Sequence, residues 1–357
     1  MLRAALQQLL EGKHFTREQS AAAMEAMLEG NASQAQMAAL LIALRIKGET
    51  PDEIAGAASA LRRRAQTVEV SAEQRKTLID TCGTGGDGAH TFNISTTAAF
   101  VAAAAGAAVA KHGNRAVSSQ CGSADVLGAL GVELELGAAG VAACLAQTGI
   151  GFLFAPRHHA AMRHVAPVRK ELGLRTLFNL LGPLANPAGA RRQLLGVYAA
   201  ALVPVLARTL LELGCDRAFV VHGEGGLDEI SPSGPTRVAE VRDGQVREFE
   251  VTPEQLGLAR VPLAGLRGGD AATNAAILRA VLSGEPGPRR TAVLLNAGAS
   301  IAAAGLCEEI AEGVQLAAKL IDSGAALAKV DALVAASRAE QQKVAGAAAG
   351  AGPGAGR

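Results

Sequence analysis

Glycines, hydroxyls and charged side chains gather in a few short stretches of this 357-residue chain, and their types suit the handling of phosphate groups. The densest is Asp80-Thr-Cys-Gly83-Thr-Gly85-Gly86-Asp87-Gly88, followed by Thr91-Phe92-Asn93-Ile94-Ser95-Thr96 and an Ala-rich helix. A glycine cluster after a strand lets backbone N–H groups approach an anion closely. The helix that opens near Ser95 and Thr96 adds free N–H groups and a positive dipole end. Its hydroxyls and amide can bond phosphate oxygens or a hydrated cation. Taken alone, the stretch fits a Gly-rich turn and an ordinary N-cap equally well. No Lys-Ser/Thr follows and the pattern is not GxGxxG, so nucleoside triphosphate and dinucleotide loops are disfavoured.

About twenty residues on comes Lys111-His112-Gly113-Asn114-Arg115-Ala116-Val117-Ser118-Ser119, then Gly122-Ser123-Ala124-Asp125. This stretch follows one expected strand and precedes a helix, which in a parallel sheet puts it at the same carboxyl edge as the first loop. Lys111, Arg115 and the serines would make a second anion cradle, with His112 and Asn114 suited to positioning a substrate. Asp228-Glu229, after the Gly-rich turn 223–226, pairs two carboxylates in a way that suits Mg²⁺. A DE pair alone reads as an acidic surface turn; its weight comes from a polyphosphate site that needs a counter-ion. The run Arg157 to Arg169 holds His158, His159 and His164 without a Cys or acidic partner nearby, so a metal reading is disfavoured. Arg169 is the better candidate there, because a guanidinium grips a carboxylate through two parallel hydrogen bonds.

The elements that carry these stretches follow from composition and pattern. Lys+Arg minus Asp+Glu is 34 − 33 = +1, spread along the chain, which speaks against nucleic-acid and anionic-membrane partners. With 49% hydrophobic residues, no Trp and one Tyr, the core must be built from Ala, Leu and Val at close backbone approach. The five cysteines lack a C-x-x-C pair, and the N-terminus lacks an apolar signal region. The apolar stretch from Ala98 to Ala110 is too short to span a bilayer, so a cytoplasmic, reducing setting is expected.

Residues 1–70 read as a helical N-terminal domain. Thr16-x-x-Gln19, Ser33-x-x-Gln36 and Thr50-Pro51-x-Glu53 are capping-box signals, and helices are expected near 2–11, 17–29, 34–47 and 51–65. From Leu78 onward, short apolar runs at 109–110, 151–154, 194–198, 218–221 and 292–295 alternate with helical stretches. That pattern predicts an α/β catalytic domain over 71–340 with a largely parallel central sheet flanked by helices, and a hairpin over 237–251. Helices within about 165–190 are expected to join the N-terminal domain in space. The Ala/Gly tail 341–357 is expected to be disordered.

The motifs GTGGDGxxTFNIST, KHGNRxxSSxxGSAD, HVAPVRKELGxRTLFNLLGPLxNP and VVHGxxGLDEIS, in this order and spacing, resemble the anthranilate phosphoribosyltransferase family of tryptophan biosynthesis. The resemblance runs from the helical start to about Leu320. It implies the fold of the pyrimidine nucleoside phosphorylases, a homodimer contacting through the helical domains, and Mg²⁺-dependent use of phosphoribosyl diphosphate (PRPP). It further implies PRPP binding by Gly83, Gly86, Asp87, Thr91, Asn93, Ile94, Ser95, Thr96, Lys111, His112, Gly113, Asn114, Arg115, Ala116, Val117, Ser118, Ser119 and Ser123. Mg²⁺ would be held by Ser95, Asp228 and Glu229, and anthranilate contacted by Gly83, Asn114 and Arg169, with His112 and His159 lining its path. Departures are few: the family's His-Pro-Ala-Met stands here as His159-Ala160-Ala161-Met162, Gly128 replaces a common Glu, and Ile301-Ala302 replaces Leu-Tyr. The implied reaction moves the 5-phosphoribosyl group from PRPP to the aromatic amine and releases diphosphate. An aromatic amine is already neutral at neutral pH, so no strong base is required, and the chain shows no nucleophile elbow. A pyrimidine nucleoside phosphorylase and a non-catalytic nucleic-acid-binding relative are the competing readings.

Overall fold

Helix-start chemistry shapes the N-terminal part. The computed structural model describes residues 2–116 and 120–350, so Val117, Ser118 and Ser119 lie outside the described residues, as does 351–357. Helices α1 (Leu2–Leu10), α2 (Arg17–Leu28), α3 (Gln34–Lys47) and α4 (Pro51–Arg63) stand where the caps predict. Thr16, Ser33 and Thr50 each accept from the backbone N–H three residues on, and Gln19, Gln36 and Glu53 return a bond to the cap's own N–H. Gly56 lets α2 and α4 touch: a Cβ there would lie 2.2 Å from the Arg17 carbonyl oxygen.

The rest of the described chain alternates strands and helices. Short α5 (Ala72–Arg75) leads to β1 (Ile79–Gly83), α6 (Ile94–Ala104), β2 (Val109–Gly113), α7 (Ser123–Leu130), α8 (Ala138–Thr148) and β3 (Ile150–Phe154). Then come α9 (Ala155–His158), α10 (Ala166–Leu172), α11 (Phe178–Leu181), β4 (Arg192–Gly196), α12 (Leu202–Glu212) and β5 (Arg217–Gly223). A hairpin, β6 (Thr236–Arg242) and β7 (Gln245–Val251), turns through Asp243 and Gly244, both at positive φ. Helices α13 (Ala271–Leu282), α14 (Pro288–Ala303), α15 (Ile310–Asp322) and α16 (Ala325–Gly350) complete the order.

Among the described residues the strands form one sheet in the order β3-β2-β1-β4-β5-β6-β7, parallel from β3 to β5 and antiparallel at β6 and β7. Burial alternates along the strands: Leu194, Phe219 and Val221 join a core with α6, α14 and α15, while Leu195, Ala218 and Val220 face the other way. That second core is continuous with the N-terminal helices and takes in Val165, Val168, Phe178, Leu181 and Leu184. The chain segment carrying Arg169 is thus packed on the bundle while its ends enter the sheet.

Two expectations need correction. Ala292 to Leu295, read as a strand, lies inside α14, where every residue from Ala292 to Ala303 is buried. A helix buried all round has no polar face, so a short window of it cannot be told from a buried strand. Residues 341–350, assigned to a disordered tail, continue α16; alanine's helix propensity carries the helix into the low-complexity run. No helix among the described residues is long and apolar enough to cross a membrane.

Candidate active site

The strand order reverses direction between β1 and β4, and the carboxyl edge there is where ligands bind in open α/β sheets. Both strands end in glycine in register, Gly83 opposite Gly196. The glycines make room for one residue: a Cβ on Gly83 would lie 2.3 Å from Asp228 Oδ2, and one on Gly196 would lie 1.6 Å from the Asp228 carbonyl oxygen. Gly223, which ends β5, does the same for Glu229, whose carbonyl oxygen would lie 2.6 Å from a Cβ. The DE pair is therefore set into the sheet edge and not on an exposed turn.

There it meets the first glycine-rich loop. Gly85 N–H donates to Asp228 Oδ2 (2.8 Å), and Ser95 N–H, in the first turn of α6, donates to Glu229 Oε1 (3.0 Å). Gly85, Gly86 and Gly88 are at positive φ, where side chains are strained. Asp87 accepts from Ala89 N–H, and Thr91 forms an isolated bridge with Arg267. Asn93 is the N-cap of α6; Ile94 and Thr96 are buried just beyond it. Burial, then the charge of Asp87, pushes the Asp228 carboxyl above the ordinary carboxylate range; burial, then Asp228 itself, pushes Glu229 up to about 8. Two buried carboxylates, one set against Asp87 and the other against Asp228, beside the first turn of α6, fit a divalent cation, which would neutralise both and take its remaining ligands from Ser95, substrate and water.

Lys111 sits beneath this edge. Its Nζ is buried, donates to the Thr81 carbonyl (2.6 Å) and faces the charges of Asp80 and Glu229. Burial raises Asp80 to about 6; it accepts from His112 N–H (3.1 Å) and Asn186 Nδ2 (2.8 Å). Gly113 ends β2, where a Cβ would collide with Ser123 Oγ. The Asn114 carbonyl accepts from Ala124 N–H and Ser123 Oγ, and Asn114 Oδ1 accepts from Arg115 N–H. Arg115 pairs with Asp125 (3.2 Å), which also takes the N–H groups of Ala116 and Gly122.

A second cluster is nearly uncharged. The His112 and His159 rings lie 5.1 Å apart; His112 Nδ1–H donates to the Gly182 carbonyl (3.1 Å). His112 Nε2 and both His159 nitrogens are buried without a hydrogen-bond partner among the described residues. Burial, then the charge of His159, lowers His112 to about 3, and burial, then the charge of His158, lowers His159 to about 4, so both rings are neutral at pH 7. Arg169 on α10 lies over the Phe178 ring (5.4 Å), and its guanidinium has no hydrogen-bond or ion-pair partner among the described residues. Phe178 opens α11, which ends at Gly182, so α11 connects Arg169 to the histidines. No three His, Cys, Asp or Glu side chains among the described residues converge as a metal cage.

The comparisons with known proteins point to one family. Residues 3–65 match the helical bundle domain of the glycosyl transferase family, and 75–327 match its a/b domain. An anthranilate phosphoribosyltransferase from Anaeromyxobacter sp. (strain K) is 58% identical over 94% of this chain and 99% of its own. The chain belongs to the anthranilate phosphoribosyltransferase family. The family's enzyme from Thermus thermophilus superposes with a TM-score of 0.88 at 47% identity, covering 94% of this chain and 99% of that one. The Saccharomyces cerevisiae enzyme, solved in complex with PRPP and Mg, gives 0.85 at 30% identity over 95% and 98%.

Sequence reading passed over several residues that hold the family's motifs in place. Asp125 was visible in GSAD but its hold on the Ala116 and Gly122 N–H groups was not. Arg175, within the LGxRT run, donates to the Gly86 carbonyl and stacks over the single tyrosine, Tyr198, at 4.3 Å. Asn186 reaches both Asp80 and the Ala110 carbonyl. Each makes its contact across 76 residues or more or through a loop closure, which local spacing does not encode.

Proposed function

We propose that this protein transfers the 5-phosphoribosyl group from PRPP to the amine of anthranilate, releasing diphosphate, as the second step of tryptophan synthesis from chorismate. The observation that carries the reading is the meeting of Asp228 and Glu229 with the Gly85 and Ser95 N–H groups at the sheet's switch point. PRPP lies along Gly83, Gly86, Asp87, Thr91 and Asn93 to Thr96 and reaches the loop from Lys111 to Ser119 and Ser123. Ser95, Asp228 and Glu229 hold Mg²⁺, which when bound offsets charge on the departing diphosphate. Arg115 and the loop N–H groups add fixed positive potential there. The Lys111 backbone opens that stretch, while its Nζ stays below, balancing Glu229 and bonded to the Thr81 carbonyl in the middle of β1.

Anthranilate enters on the other side. The unpartnered Arg169 takes its carboxylate and aims the amine at the ribose C1, a proximity effect. Gly83 and Asn114 complete the contact, and the neutral His112 and His159 rings line the path without adding charge. Neutral walls suit a neutral amine nucleophile. A homodimer through the helical domain belongs to the same reading; Leu10 and Ile46, on α1 and α3, are exposed there. The free thiols of Cys82, Cys144, Cys215 and Cys307 support a cytoplasmic setting.

The test is the loss of anthranilate fluorescence on adding PRPP, with and without Mg²⁺, in a protein whose lack of Trp keeps its own background low. A decay that needs both PRPP and Mg²⁺ is expected. No decay from a folded, PRPP-binding protein would mean a different acceptor and overturn the reading.

A further inference from the structure

Asn93 stands at the N-cap of α6, where an asparagine side chain ordinarily accepts a hydrogen bond from the second or third N–H of its own helix. It makes no such bond. Its ψ of 74° departs from the extended 166°, 157° and 161° of the caps Thr16, Ser33 and Thr50. The side chain is held elsewhere by two partners: Asn93 Nδ2 donates to the Cys121 carbonyl (3.1 Å), and Asn93 Oδ1 accepts from Asn274 Nδ2 (2.9 Å). The consequence falls on the helix. Ser95 N–H goes to Glu229, while Thr96 N–H, in a residue only 1% exposed, has no acceptor among the described residues. A buried, unpaired N–H at a helix N-terminus is a costly vacancy unless a ligand fills it.

Asn274 is built to hold this arrangement. It lies on α13, 181 residues from Asn93, is 2% exposed, and uses both ends of its amide, since its Oδ1 accepts from Gly269 N–H (2.8 Å). Gly268 must lack a side chain for the approach: a Cβ there would lie 2.8 Å from Asn274 Oδ1. The same segment is pinned to the loop, with Phe92 N–H donating to the Leu266 carbonyl and Gly268 N–H to that of His90.

We propose that Asn274 is a positioning residue: it keeps Asn93 from capping α6, and so keeps the first turn of that helix open for a phosphate oxygen of the substrate. Released from Asn274, the Asn93 side chain turns back, takes the Thr96 N–H itself, and competes with the phosphate ester. The inference rests on the PRPP reading of this site, and it adds a residue that makes no contact with the substrate.

The experiment is steady-state kinetics and calorimetric PRPP binding, with Mg²⁺ present, for Asn274→Ala, Asn93→Ala and the double variant. Because a helix cap is a modest competitor, Asn274→Ala should raise the PRPP KM about five- to tenfold while kcat and the anthranilate KM stay within about twofold. In the Asn93→Ala background, which is itself impaired, the further effect of Asn274→Ala should vanish, because no side chain remains to be released. An effect of equal size in both backgrounds, or an unchanged PRPP KM in the folded single variant, overturns the proposal. Should Asn274→Ala fail to fold, Asn274→Asp keeps the shape and the acceptor for Gly269 N–H but exchanges the donor for an oxygen and adds a charge; its effect must then be smaller in the Asn93→Ala background than in the wild type, and an equal effect in both overturns the proposal. Wild-type protein that neither binds nor uses PRPP would instead remove the reading on which this rests.

Discussion

Thr16, Ser33 and Thr50 close the N-termini of three bundle helices, whereas Asn93, in the same position before α6, turns away from its helix and leaves Thr96 N–H open. The carboxylates of the two regions differ in the same sense. Glu53, fully buried in the bundle, receives Phe15 N–H, Thr50 N–H and Lys47 Nζ, each at 2.8 Å. Asp228 and Glu229 receive the Gly85 and Ser95 N–H groups, while the charges of Asp87 and Asp228 in turn work against their ionisation. Where every polar group has a partner within the chain, the region is scaffold. At the sheet edge, where the unmatched donors and charges of one loop, one helix start and a carboxylate pair converge, the missing partners are ligands.

The strongest way to break that contrast is to remove the unmatched charge. Asp228→Asn should cost about a hundredfold or more in kcat/KM for PRPP, measured at fixed Mg²⁺, while leaving the fold intact. Its pH signature has a definite sign. Carboxyls raised in the folded, metal-free chain bind more protons there than when unfolded, so stability falls as pH climbs from the ordinary carboxylate range through about 8. Mg²⁺ counters this only where the pair is ionised. The gain in Tm on adding Mg²⁺ should therefore be larger at about pH 8.5 than at about pH 6, and Asp228→Asn should flatten the difference. A pH-independent Mg²⁺ effect would put the ion elsewhere.

A second, smaller break concerns Arg169, the other unmatched charge. Arg169→Ala should raise the anthranilate KM about ten- to a hundredfold with the PRPP KM little changed, since a charged bond to the carboxylate is lost and the guanidinium holds no hydrogen bond or ion pair among the described residues. Equal loss for both substrates would make Arg169 a structural partner of Phe178 and not a substrate ligand.

The same contrast explains what could be read in advance. The bundle was legible because its caps obey local rules: Thr16, Ser33 and Thr50 each announce a helix three residues before the return partner. The site's loops were legible as motifs, because Gly83, Gly85 and Gly86 have to be glycine and the charged residues beside them recur in family order. What holds those motifs was hidden. Asn274 reaches Asn93 across 181 residues, and Arg175 reaches Gly86 across 89. The stretch 292–295 failed for a different reason: a helix sunk on all sides between α6 and α15 carries no amphipathic period to read.

The gentlest test sits in the scaffold. Thr50→Ala removes the hydroxyl that accepts from Glu53 N–H and donates to the Glu53 carboxylate (3.1 Å), so it loosens a cap and one of the contacts that match a buried charge. Cap loss costs about 1 kcal/mol, and Lys47, Phe15 N–H and Thr50 N–H still hold the carboxylate. The melting temperature should fall by only a few degrees, and both KM values and kcat should stay as they are. A rise in either KM would show that the bundle's closed polar network is felt at the sheet edge. In that case the difference between matched and unmatched groups would no longer separate scaffold from site.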